Sequence, residues 1–121
     1  MENKRRAWIY CAIDAPEDGH KVLKRQRQEL MSYAKHMGFE TVGSSIDLGG
    51  RPLWERYGFH QLVDAVQEGR VDVLLIANPG CLSRAGMQLA RFEAWVKHSG
   101  LRVFSPLTGE ILQQRRRTDI E

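Results

Sequence analysis

Residues 71–76, which read VDVLLI, form the strongest strand signal in the chain. Five of the six residues are apolar, and polar or turn-forming residues bound the stretch on both sides. Strands that are apolar on both faces are typical of the middle of a parallel sheet, where helices cover each side. This stretch therefore predicts an α/β protein with a buried central strand.

Weaker strand and helix signals alternate on either side of this stretch. Further strands are predicted at 7–11, 39–43 and 101–105, and helices at 21–37, at 54–68 and from Ser83, as a candidate cap, to Gly100. The order β-α-β-α-β-α-β predicts a three-layer α/β fold, in which a largely parallel sheet of four to five strands carries helices on both faces.

A functional crevice is expected where the strands end. In open parallel sheets, ligands bind beyond the carboxyl ends of the strands. That rule brings together the segments 12–20, 44–52 and 77–84. The segment 44–52 (SSIDLGGRP) is rich in turn formers, so it is predicted to be a mobile loop.

The length and composition exclude several classes of protein. A chain of 121 residues fits one domain with its own core. It contains no signal-peptide pattern and no apolar run near the roughly 20 residues that a membrane helix needs. Its two cysteines, Cys11 and Cys81, form no CxxC pair and its histidines are scattered. We therefore expect reduced thiols, a cytoplasmic location, no metal, no cofactor and no membrane partner.

The positive charge is concentrated in two clusters, although the net charge is only +3. One cluster comprises Lys21, Lys24, Arg25 and Arg27, and the other is the run 115–117. Such clusters can contact phosphate backbones. A solvated helix face and a soluble tail explain them equally well, so the sequence leaves both interpretations open.

Four segments, taken in order, resemble the serine recombinases, the family of resolvases and invertases. The family's first strand reads roughly Tyr-Ala-Arg-Val-Ser, and residues 10–14 read YCAID. The next helix keeps its leucines and one glutamine in 22–30 (VLKRQRQEL). A third motif matches 56–65 (RYGFHQLVDA), and the family's Asp-Arg-Leu-Ser-Arg matches 80–84 (GCLSR). The resemblance covers about residues 6 to 111 and implies the resolvase-like fold.

The resemblance also implies a chemistry and a set of site positions. In this family a serine hydroxyl attacks a DNA phosphodiester, arginines stabilise the charge on the phosphate, and no metal is required. The serine position is held here by Asp14, and the arginine two residues before it by Ala12. The family's Asp-Arg pair is replaced by Gly80 and Cys81. The residues that match retained family positions, and are the candidates for contacting substrate, are Gln26, Arg56 and Arg84.

These replacements predict a loss of DNA cleavage. An ionised carboxylate at position 14 repels a phosphate by about 1 kcal/mol at 4 Å in water, and by more at a partly buried site. Each lost charge-stabilising donor costs about 10²- to 10³-fold in rate. An acyl phosphate on Asp14 is the remaining route to catalysis. We therefore expect a catalytically degenerate domain, with an active recombinase fragment that forms a covalent DNA intermediate as the alternative.

Other residues near the crevice are weaker candidates. Ser44 and Ser45 are read as turn residues, and Ser83 as a helix cap. Cys11 and Cys81 are either a redox pair or two small buried side chains. A small-anion or nucleotide site built from the two retained arginines is a third hypothesis.

Two parts of the chain are predicted to differ in role. Residues 1–111 form the resolvase-like domain, and 112–121 are a basic tail or the start of a dimerisation helix. Full recombinases continue into such a helix and a DNA-reading module, so this chain is expected to be either a piece of a longer protein or a stand-alone domain. Its DNA binding is expected to be weak, and its partner to be a second copy or an active recombinase.

Overall fold

The computed structural model describes residues 4–13, 19–48, 50–83 and 85–111. Within these ranges three α-helices and five strands alternate along the chain. The strands are β1 (Arg6–Ile13), β2 (Glu40–Leu48), β3 (Val73–Leu75), β4 (Arg102–Ser105) and β5 (Gly109–Ile111). The helices are α1 (Gly19–Met37), α2 (Tyr57–Gln67) and α3 (Gly86–Ser99), with short 3-10 turns at Leu53–Glu55 and Pro79–Cys81.

The strands form one sheet in the order β2-β1-β3-β4-β5. The first four are parallel to one another, and β5 runs antiparallel to β4. All three residues of β3 are buried, and β3 lies in the middle of the sheet as the apolar stretch predicted. The predicted fold class, a largely parallel sheet of four to five strands, is confirmed.

Alternation along β1 divides the core into two layers, because successive side chains of a strand point to opposite faces. Trp8 and Tyr10 face an apolar cluster that includes residues of α2 and α3. Ala7 and Ile9 face a second cluster, which includes residues of α1. The sheet is therefore covered by one helix on one face and by two on the other, which gives the three predicted layers.

The prediction of a mobile loop at 44–52 is wrong for residues 44–48, which belong to a strand. Strand β2 continues to Leu48, and its last residues stay in register with β1, from Ile9 opposite Ser44 to Ile13 opposite Leu48. The polar residues of this stretch find tertiary partners. The Ser45 hydroxyl accepts a hydrogen bond from Trp8 Nε1 at 3.0 Å and donates one to the Gly58 carbonyl at 2.7 Å. Ser44 and Ser45 are therefore strand residues and not turn residues.

The predicted cap of the third helix is also wrong. The N-cap position of α3 is Ala85, and no side chain caps it. The Ser83 hydroxyl instead accepts a hydrogen bond from the Ala85 amide at 3.0 Å, in the turn before the helix. At the other end Gly100 stops α3 in the left-handed conformation (φ 76°), as predicted. No helix in the described ranges combines the length and the apolar character that crossing a bilayer requires.

Candidate catalytic crevice

The ends of β1 and β2 and the turn after β3 meet at one edge of the sheet. Tyr10 of β1 donates a hydrogen bond from its hydroxyl to Asp47 Oδ2 of β2 at 2.7 Å. Arg56, just before α2, donates from Nη1 to the Tyr10 hydroxyl at 3.3 Å and to the Cys81 carbonyl at 2.8 Å. We call this junction the crevice. It lies near the carboxyl ends of the parallel strands, which is the region where the rule for parallel sheets predicts a crevice.

Arg56 is held inside the protein. The residue is only 7% exposed, and its Nε donates a third hydrogen bond, to the Arg51 carbonyl at 2.8 Å. Its described partners are two backbone carbonyls and a hydroxyl, all of them neutral groups. The guanidinium is therefore fixed in position, and two of its three nitrogens are already used by the fold.

Asp47 connects the crevice to α2. Its Oδ1 accepts a hydrogen bond from the Gly58 amide at 2.8 Å, and its Oδ2 accepts one from the Phe59 amide at 3.0 Å. The N-cap residue Arg56 provides no side-chain cap, so a carboxylate from the neighbouring strand satisfies the free amides of the first turn. Negative charge at a helix N-terminus is also favoured by the helix dipole.

The absence of a side chain at Gly58 allows the Asp47 carboxylate to approach the first turn of α2. A Cβ atom at this position would lie 2.5 Å from the Ile46 carbonyl oxygen and 2.7 Å from Asp47 Oδ2. The sequence interpretation missed Asp47, Tyr10 and Gly58. The available signal was an isolated acidic residue near the end of a strand, followed eleven residues later by a glycine inside a helix pattern.

The Tyr10 hydroxyl is a hydrogen-bond donor in its protonated form. Burial raises the pKa of the phenol above its usual value; the hydrogen bond from Arg56 lowers it, and the hydrogen bond to Asp47 raises it again. The net effect is upward, so the phenol stays protonated at neutral pH and donates to the carboxylate.

The two thiols are buried beside the crevice. Burial raises the pKa of Cys11 to about 12, with a smaller upward contribution from Cys81. Both cysteines are free, and Cys81 Sγ lies 3.9 Å from Gln26 Oε1. Gln26 Nε2 in turn donates to the Ala12 carbonyl at 3.5 Å. A protonated and fully buried thiol is a poor nucleophile, which favours the interpretation of Cys11 as a small core side chain.

The positions that depart from the recombinase pattern lie in two kinds of environment. Ala12 and Cys81, where the family resemblance predicts arginines, both belong to the apolar cluster beneath α2 and α3. Gly80 is exposed in the turn after β3. Asp14 and Arg84 lie outside the described residues, so their predicted roles stay predictions.

A cavity of about 480 Å³ opens beside the crevice. It is lined by Asp47, Leu48, Arg51, Glu55, Arg56, Tyr57 and His60. Two carboxylates and two guanidiniums share this lining, so it has no strong preference for anions or cations. Among the described residues, no three histidine, cysteine or acidic side chains are grouped in a way that could hold a metal ion.

Comparison with known proteins identifies the fold family. The model of the resolvase N-terminal domain matches residues 15–119. This chain belongs to the resolvase family. The match makes it a serine-recombinase-like domain, of a family that takes part in DNA recombination. Among curated proteins, no sequence matches the chain significantly.

Solved structures of recombinase domains are similar to this resolvase-family domain. The C-terminal catalytic domain of ISC1926 TnpA, an IS607-like serine recombinase, is 27% identical with a TM-score of 0.74, over 83% of this chain and 68% of that one. A resolvase family site-specific recombinase from Streptococcus pneumoniae is 13% identical with a TM-score of 0.77, over 97% and 83%. A serine recombinase from Sulfolobus solfataricus is 22% identical with a TM-score of 0.65, over 82% and 68%. The last two comparisons support the fold alone.

Proposed function

We propose that this resolvase-family domain does not cleave DNA and acts as a dimerisation or regulatory module in DNA recombination. The observation that carries the proposal is the environment of Ala12 and Cys81. Both side chains pack in an apolar cluster at positions where the family resemblance calls for arginines. Phosphoryl transfer relies on positive groups that are preorganised around the phosphate. Two such groups are replaced here by uncharged core side chains.

Arg56, which matches a retained family position, does not compensate for this loss. Arg56 already donates hydrogen bonds from Nε and Nη1 to acceptors inside the protein, so fewer of its N–H groups can bind a phosphate. The nucleophile position holds Asp14, whose carboxylate repels a phosphate electrostatically. Both effects act against cleavage, and they add to the loss of the two arginines.

The proposed partners are inferred from a domain that retains the resolvase-like fold but lacks the groups needed for cleavage. A resolvase-like domain that does not cut DNA can still pair with a second copy of itself or with an active recombinase and adjust that partner's activity. The proposed setting is cytoplasmic, with reduced thiols and without a cofactor. Sedimentation of the purified chain, alone and mixed with an active recombinase, measures both kinds of association.

A trapping assay on supercoiled plasmid tests the loss of cleavage. The protein is incubated with plasmid, the reaction is stopped with detergent, and covalent protein–DNA adducts and nicked DNA are separated on a gel. We expect neither product from the wild-type chain, and the same result from Asp14→Ala. A hydroxylamine-labile adduct that forms with the wild type and disappears in Asp14→Ala would show an acyl phosphate and overturn the proposal.

A second candidate, an active recombinase fragment, is favoured by one observation. Arg56 and Gln26 match retained family positions, and both make contacts at the crevice. The same trapping assay separates the two candidates, because only the active fragment leaves a covalent intermediate on the DNA.

A further inference from the structure

We propose that the exposed side of α1 binds the phosphate backbone of nucleic acid. The surface is defined by the exposed cations Lys21, Lys24, Arg25 and Lys35, and we call it the basic face of α1. Arg27 lies at its edge, where its Nε donates to the Ser44 hydroxyl at 3.3 Å. This inference goes beyond the proposed function, since it assigns a binding surface that needs none of the crevice residues.

The basic face is fixed by the packing of α1. Leu23, Leu30 and Ala34 are buried against the sheet and determine which side of the helix points inward. With 3.6 residues per turn, positions 21, 25, 28, 32 and 35 fall on the opposite side. Lys21, Arg25 and Lys35 therefore point away from the sheet, over roughly 21 Å at about 1.5 Å per residue, and Lys24 is exposed at the flank of the same face.

The charge on this helix is strong, and no ion pair among the described residues neutralises it. It carries five lysines and arginines against a single acidic residue, Glu29, so its net charge exceeds the +3 of the whole chain. The ion pairs found among the described residues are Arg6–Asp72, Arg70–Glu68, Lys97–Glu93 and Arg102–Glu110. None of these pairs involves α1, so within the described ranges the exposed cations of α1 have no carboxylate partner.

The chemistry of the face favours nucleic acid over other anionic partners. Gln28 and Ser32 lie between the cations and can donate hydrogen bonds to phosphate oxygens, as such side chains commonly do at DNA backbones. A membrane-surface helix would need its apolar side free to enter the lipid, whereas that side of α1 is buried in the core. A protein interface would be expected to have an aromatic or apolar centre, which the row of Lys21, Arg25, Gln28, Ser32 and Lys35 does not provide.

The basic face and the crevice residues Tyr10 and Arg56 belong to opposite layers of the domain, and among the described residues α1 reaches the crevice only through Gln26, which contacts Cys81. The cluster that contains Tyr10 and Cys81 lies beneath α2 and α3, whereas α1 covers the other face of the sheet. Binding through α1 would keep a non-cleaving domain on DNA without using Tyr10 or Arg56 of the crevice. The cleavage assay and a binding assay can therefore fail independently of each other.

The test is a salt titration of binding to a random-sequence, fluorescein-labelled DNA duplex, followed by anisotropy with the full chain. About four phosphate contacts give a slope of about −3.6 in log K against log salt, and a loss of about 150-fold between 50 and 200 mM salt. Lys21→Gln with Lys24→Gln is expected to reduce the slope by about two and to weaken binding at 50 mM by at least about tenfold.

A matched control removes the same charge elsewhere. Arg70→Gln with Lys97→Gln changes two exposed cations outside α1 and is expected to weaken binding by less than about threefold. Thermal unfolding of both double variants checks that each one folds. Equal losses in the two double variants would mean that only bulk charge matters, and would overturn the proposal.

Three further results would also overturn it. One is the absence of any binding by the wild type at low salt. Another is a loss that appears only when residues 115–117 are changed to glutamine, which would assign the binding to the basic run near the C-terminus. The third is tighter binding to polyglutamate than to DNA of comparable charge, which would indicate an acidic protein as the partner.

Discussion

The crevice and the basic face of α1 hold their cations in opposite ways. Arg56 is 7% exposed and donates to three internal acceptors, whereas Lys21, Lys24 and Arg25 are exposed and belong to none of the ion pairs seen among the described residues. A buried guanidinium is retained because the fold depends on it, since its loss would leave several buried groups without partners. An exposed cation outside any described ion pair contributes little to folding, so changing it tests a binding role without removing the fold.

The largest expected effect is on the buried cation. Arg56→Ala removes donors from the Tyr10 hydroxyl and from the carbonyls of Arg51 and Cys81. We expect a loss of about 3 kcal/mol in the free energy of unfolding, because unsatisfied buried groups cost about 1–3 kcal/mol each. Urea denaturation measures it. A loss below about 1 kcal/mol would mean that Arg56 is free for a ligand, and the contrast with α1 would disappear.

The next effect concerns the carboxylate that supports the crevice. Gly58→Ala places a methyl group 2.5 Å from the Ile46 carbonyl oxygen and 2.7 Å from Asp47 Oδ2. We expect a loss of about 2 kcal/mol in the free energy of unfolding, since overpacking costs about 1–3 kcal/mol. Gly86→Ala is the matched control, because no atom lies within 4 Å of a Cβ at that position. Equal stability of the two variants would contradict the close approach of Asp47 to α2.

A smaller effect on stability is expected at the partly exposed ion pair between Arg102 and Glu110. The Arg102 guanidinium beside Glu110 holds the pKa of that carboxyl below its usual value. A depressed folded-state pKa stabilises the fold above the unfolded pKa near 4.5, and this contribution is lost as the pH falls through the lower folded-state pKa. Glu110→Gln should reduce the fall in the free energy of unfolding at acidic pH by less than about 1 kcal/mol. An unchanged pH profile of unfolding would show that the pair contributes nothing.

The smallest effect is expected on the basic face itself. Lys21→Ala and Lys24→Ala should each change the free energy of unfolding by less than about 0.5 kcal/mol, because both side chains are exposed and belong to none of the ion pairs among the described residues. The same urea series used for Arg56→Ala measures them. A large loss in either variant would mean that the cations of α1 serve the fold, as Arg56 does.

The sequence predicted the framework of this molecule better than the details of its crevice. The apolar run at 71–76 located the central strand, and the alternating pattern predicted the parallel sheet, because both depend on local periodicity. The end of β2 was mistaken for a loop, since Ser45 and Asp47 are polar and are satisfied only by residues distant in the chain. The short antiparallel β5, at 109–111, has too few residues for a periodic signal.

The candidate site divides in the same way. The motif resemblance located Arg56, Gln26, Ala12 and Cys81 at or beside the crevice, because each belongs to a contiguous segment with a recognisable pattern. The link through Tyr10 and Asp47 was missed, since it joins two strands and a helix that are far apart along the chain. Hydrogen bonds of this kind depend on three-dimensional register, which one sequence without relatives does not reveal.

The cap that Asp47 provides for α2 has a consequence for how this domain can vary in length. The segment that joins β2 to α2 is fixed at both ends. Its first end is held by the pairing of β2 with β1, and its second by the contact of the Asp47 carboxylate with Gly58. The segment between these ends is constrained as well, because Leu53 is buried in the core and the Arg51 carbonyl accepts a hydrogen bond from Arg56 Nε. A one-residue insertion within β2 would turn Asp47 to the opposite face of the sheet and leave the first turn of α2 without its acceptor.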